Sequence, residues 1–244
     1  MRHSLSVVIG MYNEEENVEP VTKEIGEALS HASILYEIIC ASNGSTDRTE
    51  EIIKNLSAKD SRIKGVFLNE KGYGRAVIAG LAAATNDWLS IVSGDGQVDP
   101  RDIIKAYETM ERRDVDIVKP RRIHRGDGWH RTVLAGIYNI LLKLTFGLPG
   151  WDIDGPPKIM KREFVQKLAL ESRDFFIDSE IMIKAKYMKS SVAEVEVDWR
   201  TRERGTPHIG SALFKTSLQY FKNLIRWRFY YRKLVTKKIP APPN

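Results

Sequence analysis

From Leu5 to Lys119 the sequence alternates, at a nearly even pitch, between short runs rich in Val and Ile and longer runs whose apolar residues recur at helical spacing. Leu5–Gly10, Tyr36–Ala41, Ile63–Leu68, Trp88–Ser93 and Val115–Lys119 read as strands bounded by turn residues. Asn17–Leu29, Asp47–Ala58, Gly74–Ala84 and Pro100–Arg112 read as helices. Thr46-Asp47 and Asp99-Pro100 supply cap-like starts, with the proline suited to the first helical turn. Strands separated by helices of this length are joined by right-handed crossovers, which produce parallel pairing. The pattern predicts an α/β domain on a mostly parallel, Rossmann-like sheet flanked by helices.

After Ile123 the pattern loosens. Gly126-Asp127-Gly128 marks a loop, Trp129–Phe146 a helix, and Gly147–Pro157 a stretch rich in Gly and Pro. A short strand near Lys158–Met160, helices at Arg162–Leu170 and Ile177–Met188, and a last strand at Val192–Val197 follow. No linker-like composition and no internal repeat divides the two halves. One domain is expected over residues 1–209, followed by a segment of different character at 210–244.

The balance of 42% hydrophobic and 29% charged residues is that of a folded globular chain. One cysteine, Cys40, excludes an intramolecular disulfide and a thiolate zinc site. The N-terminus lacks the apolar run of a signal peptide, and no eighteen-residue apolar stretch occurs, so a cytoplasmic location is expected. With 38 Lys+Arg against 32 Asp+Glu, the net charge of +6 leaves nucleic acid, a membrane surface and phosphorylated ligands open.

In open parallel sheets, ligands bind beyond the carboxyl ends of the strands. Those ends read Tyr12-Asn13-Glu14, Ser42-Asn43-Gly44-Ser45, Asn69-Glu70-Lys71-Gly72 and Ser93-Gly94-Asp95-Gly96-Gln97. Together they offer hydroxyl, amide, carboxylate and ammonium groups, a set suited to a ribose, a base edge and phosphates. Neither a Walker loop nor the three-glycine dinucleotide motif is present. The bland reading of Tyr12–Glu14 is a helix-capping turn, whereas Asp95-Gly96-Gln97 precedes the cap at Asp99 and has no capping part to play.

The segments "VVIGMYNEEENV", "SNGSTDRT", "NEKGYGRAVIAG" and "SGDGQVDP" resemble, in order, those of the family 2 glycosyltransferases. Within that family the chain is most similar to the dolichyl- and polyprenyl-phosphate sugar transferases, from about Leu5 to Gly210. The resemblance implies a GT-A fold, with a nucleotide-binding half at 1–120 and an acceptor half at 121–209. It places Tyr12, Glu14, Ser42, Asn43, Gly44, Lys71, Gly72, Ser93 and Asp95 around a nucleotide-sugar donor. Two positions depart from the family's strand-two aspartates, which are Ser42 and Asn43 here, and its Asp-x-Asp is reduced to Ser93-Gly94-Asp95. Asp95, with Gln97, is left to hold a divalent metal, Mg²⁺ or Mn²⁺, together with diphosphate oxygens.

Arg121, Arg122, Arg125 and Arg131, with His124 and His130, crowd into thirteen residues. Charge runs are usually solvated faces, but guanidinium groups beside glycines also make anion sites. The resemblance sets Arg121 and Arg131 against the acceptor phosphate, and Arg202, Gly205 and His208 of "WRTRERGTPH" on the family's Arg-x-x-Gly loop. Asp178 and Glu180 fall near the acceptor side, and Asp152–Lys158 matches only loosely. Asp95, Arg121, Arg131 and Arg202 are the expected catalytic set, and inversion at the anomeric carbon is implied.

Residues 210–239 contain eight Lys or Arg and no acidic residue. Phe214, Leu218, Phe221 and Ile225 share one helical face, so Ser211–Lys238 is expected to form an amphipathic helix, either continuous or broken near Arg226, on an anionic membrane surface. The alternatives are docking on the protein's own core or assembly of a homo-oligomer. Three function classes follow: transfer to a polyprenyl phosphate at the inner membrane face, transfer to a hydroxyl acceptor, and a non-enzymatic basic module. The third leaves the polar strand ends unexplained, and nucleic acid is not the expected partner because single-strand binders expose aromatics along a sheet face.

Overall fold

The computed structural model describes residues 2–125, 129–148, 150, 152–205 and 222–231. The side chains of residues 124, 125 and 129–131 fall outside that description. The chain runs β1 (Leu5–Met11), α1 (Val18–His31), β2 (Tyr36–Asn43), α2 (Thr49–Lys59), β3 (Ile63–Leu68), α3 (Tyr73–Ala83), β4 (Trp88–Ser93) and α4 (Pro100–Arg113). It continues through β5 (Ile117–Arg125), α5 (Trp129–Phe146), β6 (Lys158–Lys161), α6 (Arg162–Leu168), α7 (Ile177–Tyr187) and β7 (Val192–Trp199). One sheet of seven strands holds them in the order β3-β2-β1-β4-β6-β5-β7.

The strands β1 to β4 pair in parallel, as the crossover helices require. Both faces of β1, β2 and β4 are covered, so these strands are buried almost throughout. Val7 and Ile9 of β1 enter the core beneath α1 and α4, beside Leu29, Ile103 and Met110. Val8, one residue out of phase, enters the opposite core with Val77 of α3 and Ile181 of α7. The expected α/β class and GT-A architecture are borne out. Asp99 caps α4 by accepting from the Arg101 amide at 2.8 Å, with Pro100 in the first turn, as its sequence implies.

Three features differ from the sequence reading. β6 runs antiparallel to both β4 and β5, so the turn before it lies at the carboxyl edge of β4. β5 extends to Arg125, six residues beyond the expected end, because β7 pairs with it in parallel from Ile117 to Arg125. Arg121 and Arg122 therefore sit on a strand. Third, residues 222–231 form a continuous helix, here α8, with no break at Arg226. Leu224, Trp227 and Tyr231 of α8 are buried in the core beside Phe146, Phe176 and Ile181. The Trp227 ring lies 5.8 Å from that of Phe176, and Tyr231 stacks on Tyr187 at 4.9 Å. This part of the tail docks on the domain instead of standing apart from it. Ile225 of the expected lipid face is exposed; Phe214, Leu218 and Phe221 lie outside the described residues.

Candidate functional site

Strand order reverses between β1, which leads to β2 and β3, and β4, which leads to β6, β5 and β7. The crevice at this switch point is where an α/β sheet exposes backbone and loop groups to a ligand. Gly10 of β1 pairs with Ser93 of β4 at its rim.

The loops after β1 and β2 are laced together. Asn13 adopts φ 51°, a left-handed conformation that asparagine tolerates. Its Oδ1 accepts from the Thr46 amide at 2.7 Å, and the Asn13 amide donates to Ser45 Oγ at 3.1 Å. The Glu14 amide donates to Thr49 Oγ1 at 2.8 Å. Ser42 is buried, its hydroxyl 2.9 Å from Ser45 Oγ and 3.1 Å from Glu50 Oε1, so it braces this loop. Asn43 is also buried, and its Oδ1 accepts no hydrogen bond. Gly44 (φ +76°) passes so close to the loop after β3 that a Cβ would lie 3.3 Å from the Asn69 carbonyl oxygen. In that loop the Lys71 ammonium sits 4.4 Å from the centre of the Tyr12 ring. Gly72 admits the Arg173 carbonyl to within 2.5 Å of where a Cβ would stand. Tyr12, Ser42, Asn43, Gly44, Lys71 and Gly72 thus lie in and beside the loops that leave the carboxyl ends of β1, β2 and β3.

After β4, Asp95 Oδ1 accepts from Ser93 Oγ at 2.9 Å and from the Gln97 amide at 3.1 Å. Its Oδ2 has no hydrogen-bond partner among the described residues and remains available to a cation. Gln97 is buried, and its Nε2 donates to the Arg200 carbonyl at 2.9 Å. No group of three or more His, Cys, Asp or Glu among the described residues could hold a metal by itself. The donor set suits an ion that arrives with diphosphate oxygens and retains its waters, as Mg²⁺ does, rather than a resident ion in a protein cage.

The segment 199–205, leaving β7, straps the two halves together. Val98 bridges Trp199, and the Arg200 amide donates to the Gln97 carbonyl at 3.1 Å. The Arg200 guanidinium holds Glu24 at 2.7 Å and Asp99 at 2.9 Å. Burial works to raise the Asp99 pKa, but hydrogen bonds from Arg101 and Arg200 outweigh it and hold the carboxyl at about 2. Arg202 pairs with Glu14 at 2.8 Å, where Asn17 Nδ2 also donates to Glu14 at 2.6 Å. Burial nevertheless keeps the Glu14 pKa above the usual carboxylate range. Arg202 therefore reaches the crevice with its charge already engaged by Glu14.

Around β5, β6 and α7 the charged groups other than Arg121 are more buried than the sequence suggested. Arg121 is exposed on β5, 3.5 Å from Glu196. Arg122 is clamped on Asp152 and lies 4.8 Å from the Trp199 ring centre. The side chain of Arg131 lies outside the described residues. Lys158 is fully buried and pairs with Asp178 at 2.5 Å. Glu180 caps the segment before α7, accepting from the Ser172 amide at 2.7 Å, and pairs with Lys184 at 2.6 Å. Asp178 and Glu180 are thus committed to internal partners. Asp154, in the turn before β6, accepts from Ser179 Oγ at 2.6 Å, and Ser179 Oγ lies 2.9 Å from Tyr138 Oη. Burial, reinforced by the nearby Asp178 carboxylate, pushes Asp154 up to about 7. Asp154 was not singled out by the sequence, because Tyr138, Asp154 and Ser179 meet only once α5, β6 and α7 are packed.

The chain is 30% identical over 232 residues to the dolichol-phosphate mannosyltransferase of Pyrococcus furiosus, an alignment covering 91% of this chain and 64% of that one. It is 28% identical to an undecaprenyl-phosphate 4-deoxy-4-formamido-L-arabinose transferase of Aeromonas hydrophila, covering 84% and 63%. The chain spans just under two thirds of the length of these two relatives. Among solved structures, the glucosyl-3-phosphoglycerate synthase of Mycobacterium tuberculosis in complex with UDP superposes with a TM-score of 0.71 at 20% identity. That match covers 93% of this chain and 80% of the other. The same synthase has been crystallised with Mn²⁺, UDP and phosphoglyceric acid. The description "Glycosyl transferase family 2" matches residues 6–169, so the chain belongs to glycosyl transferase family 2.

Proposed function

We propose that this protein transfers a sugar from a nucleotide-sugar donor to the phosphate of a polyprenyl phosphate, with inversion at the anomeric carbon. The observation that carries the reading is the pairing of two surfaces on one sheet edge. A crevice of base- and phosphate-binding groups spans β1 to β4, and an arginine-bearing strand, β5, lies beyond it. Relatives named for dolichol-phosphate and undecaprenyl-phosphate acceptors support the same reading. Asn43 Oδ1, a buried acceptor without a partner, suits an N–H of the donor's base. Lys71 and Arg202 supply positive charge beside the diphosphate. Asp95 and the diphosphate oxygens would hold a divalent ion, and such an ion neutralises charge on the departing nucleotide. Arg121, with Arg131, orients the acceptor phosphate for in-line attack. A phosphate oxygen is already anionic, so positioning and charge stabilisation supply the catalysis.

Among the described residues no helix is long and apolar enough to cross a membrane. The acceptor's prenyl chain resides in the bilayer, so the transfer takes place at the inner membrane face.

A second reading, transfer to a hydroxyl, is favoured by one observation. Asp154, held near 7, has the proton affinity of a general base. Incubation with a panel of nucleotide sugars and Mg²⁺, with and without a polyprenyl phosphate, separates the two by mass spectrometry. A sugar phosphate ester of the prenol supports the first reading; nucleotide-sugar turnover only with hydroxyl acceptors overturns it.

A further inference from the structure

Apart from the switch-point crevice, a cleft of about 1020 Å³ opens between the end of β3, α3, the segment 170–174 and α8. None of Tyr12, Asn43, Lys71, Ser93 and Asp95 lines it. The loop after β3 separates the two hollows: Asn69 and Glu70 line the cleft, whereas the Lys71 ammonium sits against the Tyr12 ring. A space of this size holds a whole small molecule rather than a single ion.

Its lining has an apolar part and a charged part. Leu68, Ile78, Ala79, Ala82, Leu170 and Trp227 supply the first. Ala79 and Ala82 stand three residues apart, so they share one side of α3 and carry too little side chain to fill the space. The charged part sets Arg75, Arg173 and Arg226 among Glu70, Glu171 and Asp174. All three carboxylates are engaged. Glu70 holds Arg75 at 2.7 Å. Asp174 accepts from the Phe176 amide at 3.0 Å and from Asn223 Nδ2 at 2.8 Å. Glu171 Oε1 accepts from Tyr230 Oη at 3.0 Å. Neither the Arg173 nor the Arg226 guanidinium has a partner among the described residues. A lone exposed arginine is ordinarily just solvated. Here two, from separate elements, line one cleft in which every neighbouring carboxylate is taken. Ser172 lines the same cleft; it is 7% exposed, and its Oγ makes no hydrogen bond. A buried hydroxyl left in that state is one that a ligand oxygen can satisfy.

We propose that this cleft is a second binding site, which takes a phosphate monoester with an apolar body. Such a phosphate carries nearly two negative charges at neutral pH, one for each free guanidinium, and its oxygens match the planar fork of arginine. A carboxylate brings only one charge. The apolar body lies over Ile78, Leu170 and Trp227, where Ala79 and Ala82 leave room. The site is distinct from the crevice and from Arg121, so it does not depend on which acceptor the protein uses.

Calorimetric titration of the full chain with naphthyl phosphate, naphthol and inorganic phosphate tests this. Naphthyl phosphate binds the wild type more tightly than inorganic phosphate does, and naphthol binds least. Arg173→Ala and Arg226→Ala each weaken the ester by about tenfold or more. Their Tm stays at the wild-type value, since neither side chain has an internal partner to lose. Lys71→Ala and Arg121→Ala keep the site. Geranyl phosphate, titrated in the same way, presents the same phosphate on a lipid-derived chain, and the tighter of the two esters identifies the source of the ligand. Undiminished binding by both arginine variants overturns the proposal. So does a loss that appears in Lys71→Ala or Arg121→Ala instead, which places the phosphate in the crevice or on β5. An ester that binds no better than inorganic phosphate removes the apolar body from the assignment and overturns it as well.

Discussion

At Asp95 the two carboxylate oxygens have different duties. Oδ1 accepts from Ser93 and from the Gln97 amide, which fixes the turn, and Oδ2 is left for a ligand. Asp95→Asn keeps an oxygen able to accept both bonds and replaces only the available one, so the fold is retained. Turnover is expected to fall by about 10²-fold or more, the order of effect of losing one preorganised charge contact. Steady-state kinetics with Mg²⁺ and with a chelator check this; a chelator-resistant wild type removes both the residue and the ion from the mechanism. Asp154 gives a prediction in pH. Its pKa is raised from an ordinary 3.8 to about 7 on folding, so between these values the folded chain holds a proton that the unfolded chain has released. Stability is therefore lost as pH rises from 4 to 7. Asp154→Asn cannot ionise, and its Tm advantage over wild type should grow across that window and level off above it. A difference that is flat in pH contradicts the shifted carboxyl.

At the scale of elements, α8 is part of the fold. Trp227 is buried against Phe176 and near the Lys184 ammonium, 5.8 Å from its ring centre. Trp227→Ala should cost about 3–5 kcal/mol, the range for removing a large buried aromatic, read as a lower midpoint in chemical denaturation. A midpoint unchanged from wild type would mean that α8 does not dock in solution. The inward stripe was legible: Leu224, Trp227 and Tyr231 recur at helical spacing. The sequence reading weighted Phe214, Leu218, Phe221 and Ile225 instead, because basic residues flank them. The parallel strands were readable because burial on both faces of β1, β2 and β4 leaves them mostly apolar. β5 was cut short for the converse reason. From Lys119 to Arg125 it is mostly charged, and only its pairing with β7, some seventy residues later, shows that it is a strand. The crevice residues were legible because they sit at strand ends, where topology alone brings them together. The Glu14–Arg202 pair and the Tyr138–Ser179–Asp154 chain were not, since each joins segments that local periodicity cannot relate.

Across the whole molecule, the strand ends at the switch point between β1 and β4 and Arg121 on β5, two strands beyond β4, are joined by the 199–205 strap. That separation has a kinetic consequence. Arg121 projects from β5 with half its side chain exposed and, among the described residues, one ion-pair partner, Glu196 at 3.5 Å, so it can leave that partner for an acceptor phosphate. A surface ion pair of this kind contributes about 0–1 kcal/mol, and Arg121→Ala should leave Tm nearly unchanged. A charge-assisted contact to a phosphate contributes about 1.5–3 kcal/mol, so kcat/KM for the prenyl phosphate should fall by about ten- to a hundredfold. The KM for the nucleotide sugar should not move, because β1 to β4 do not depend on Arg121. Initial-rate measurements with each substrate varied in turn decide the matter. A defect confined to the nucleotide sugar, or a loss that no rise in acceptor concentration and no change in salt can alter, would remove Arg121 from the acceptor site and with it the division of labour along the sheet.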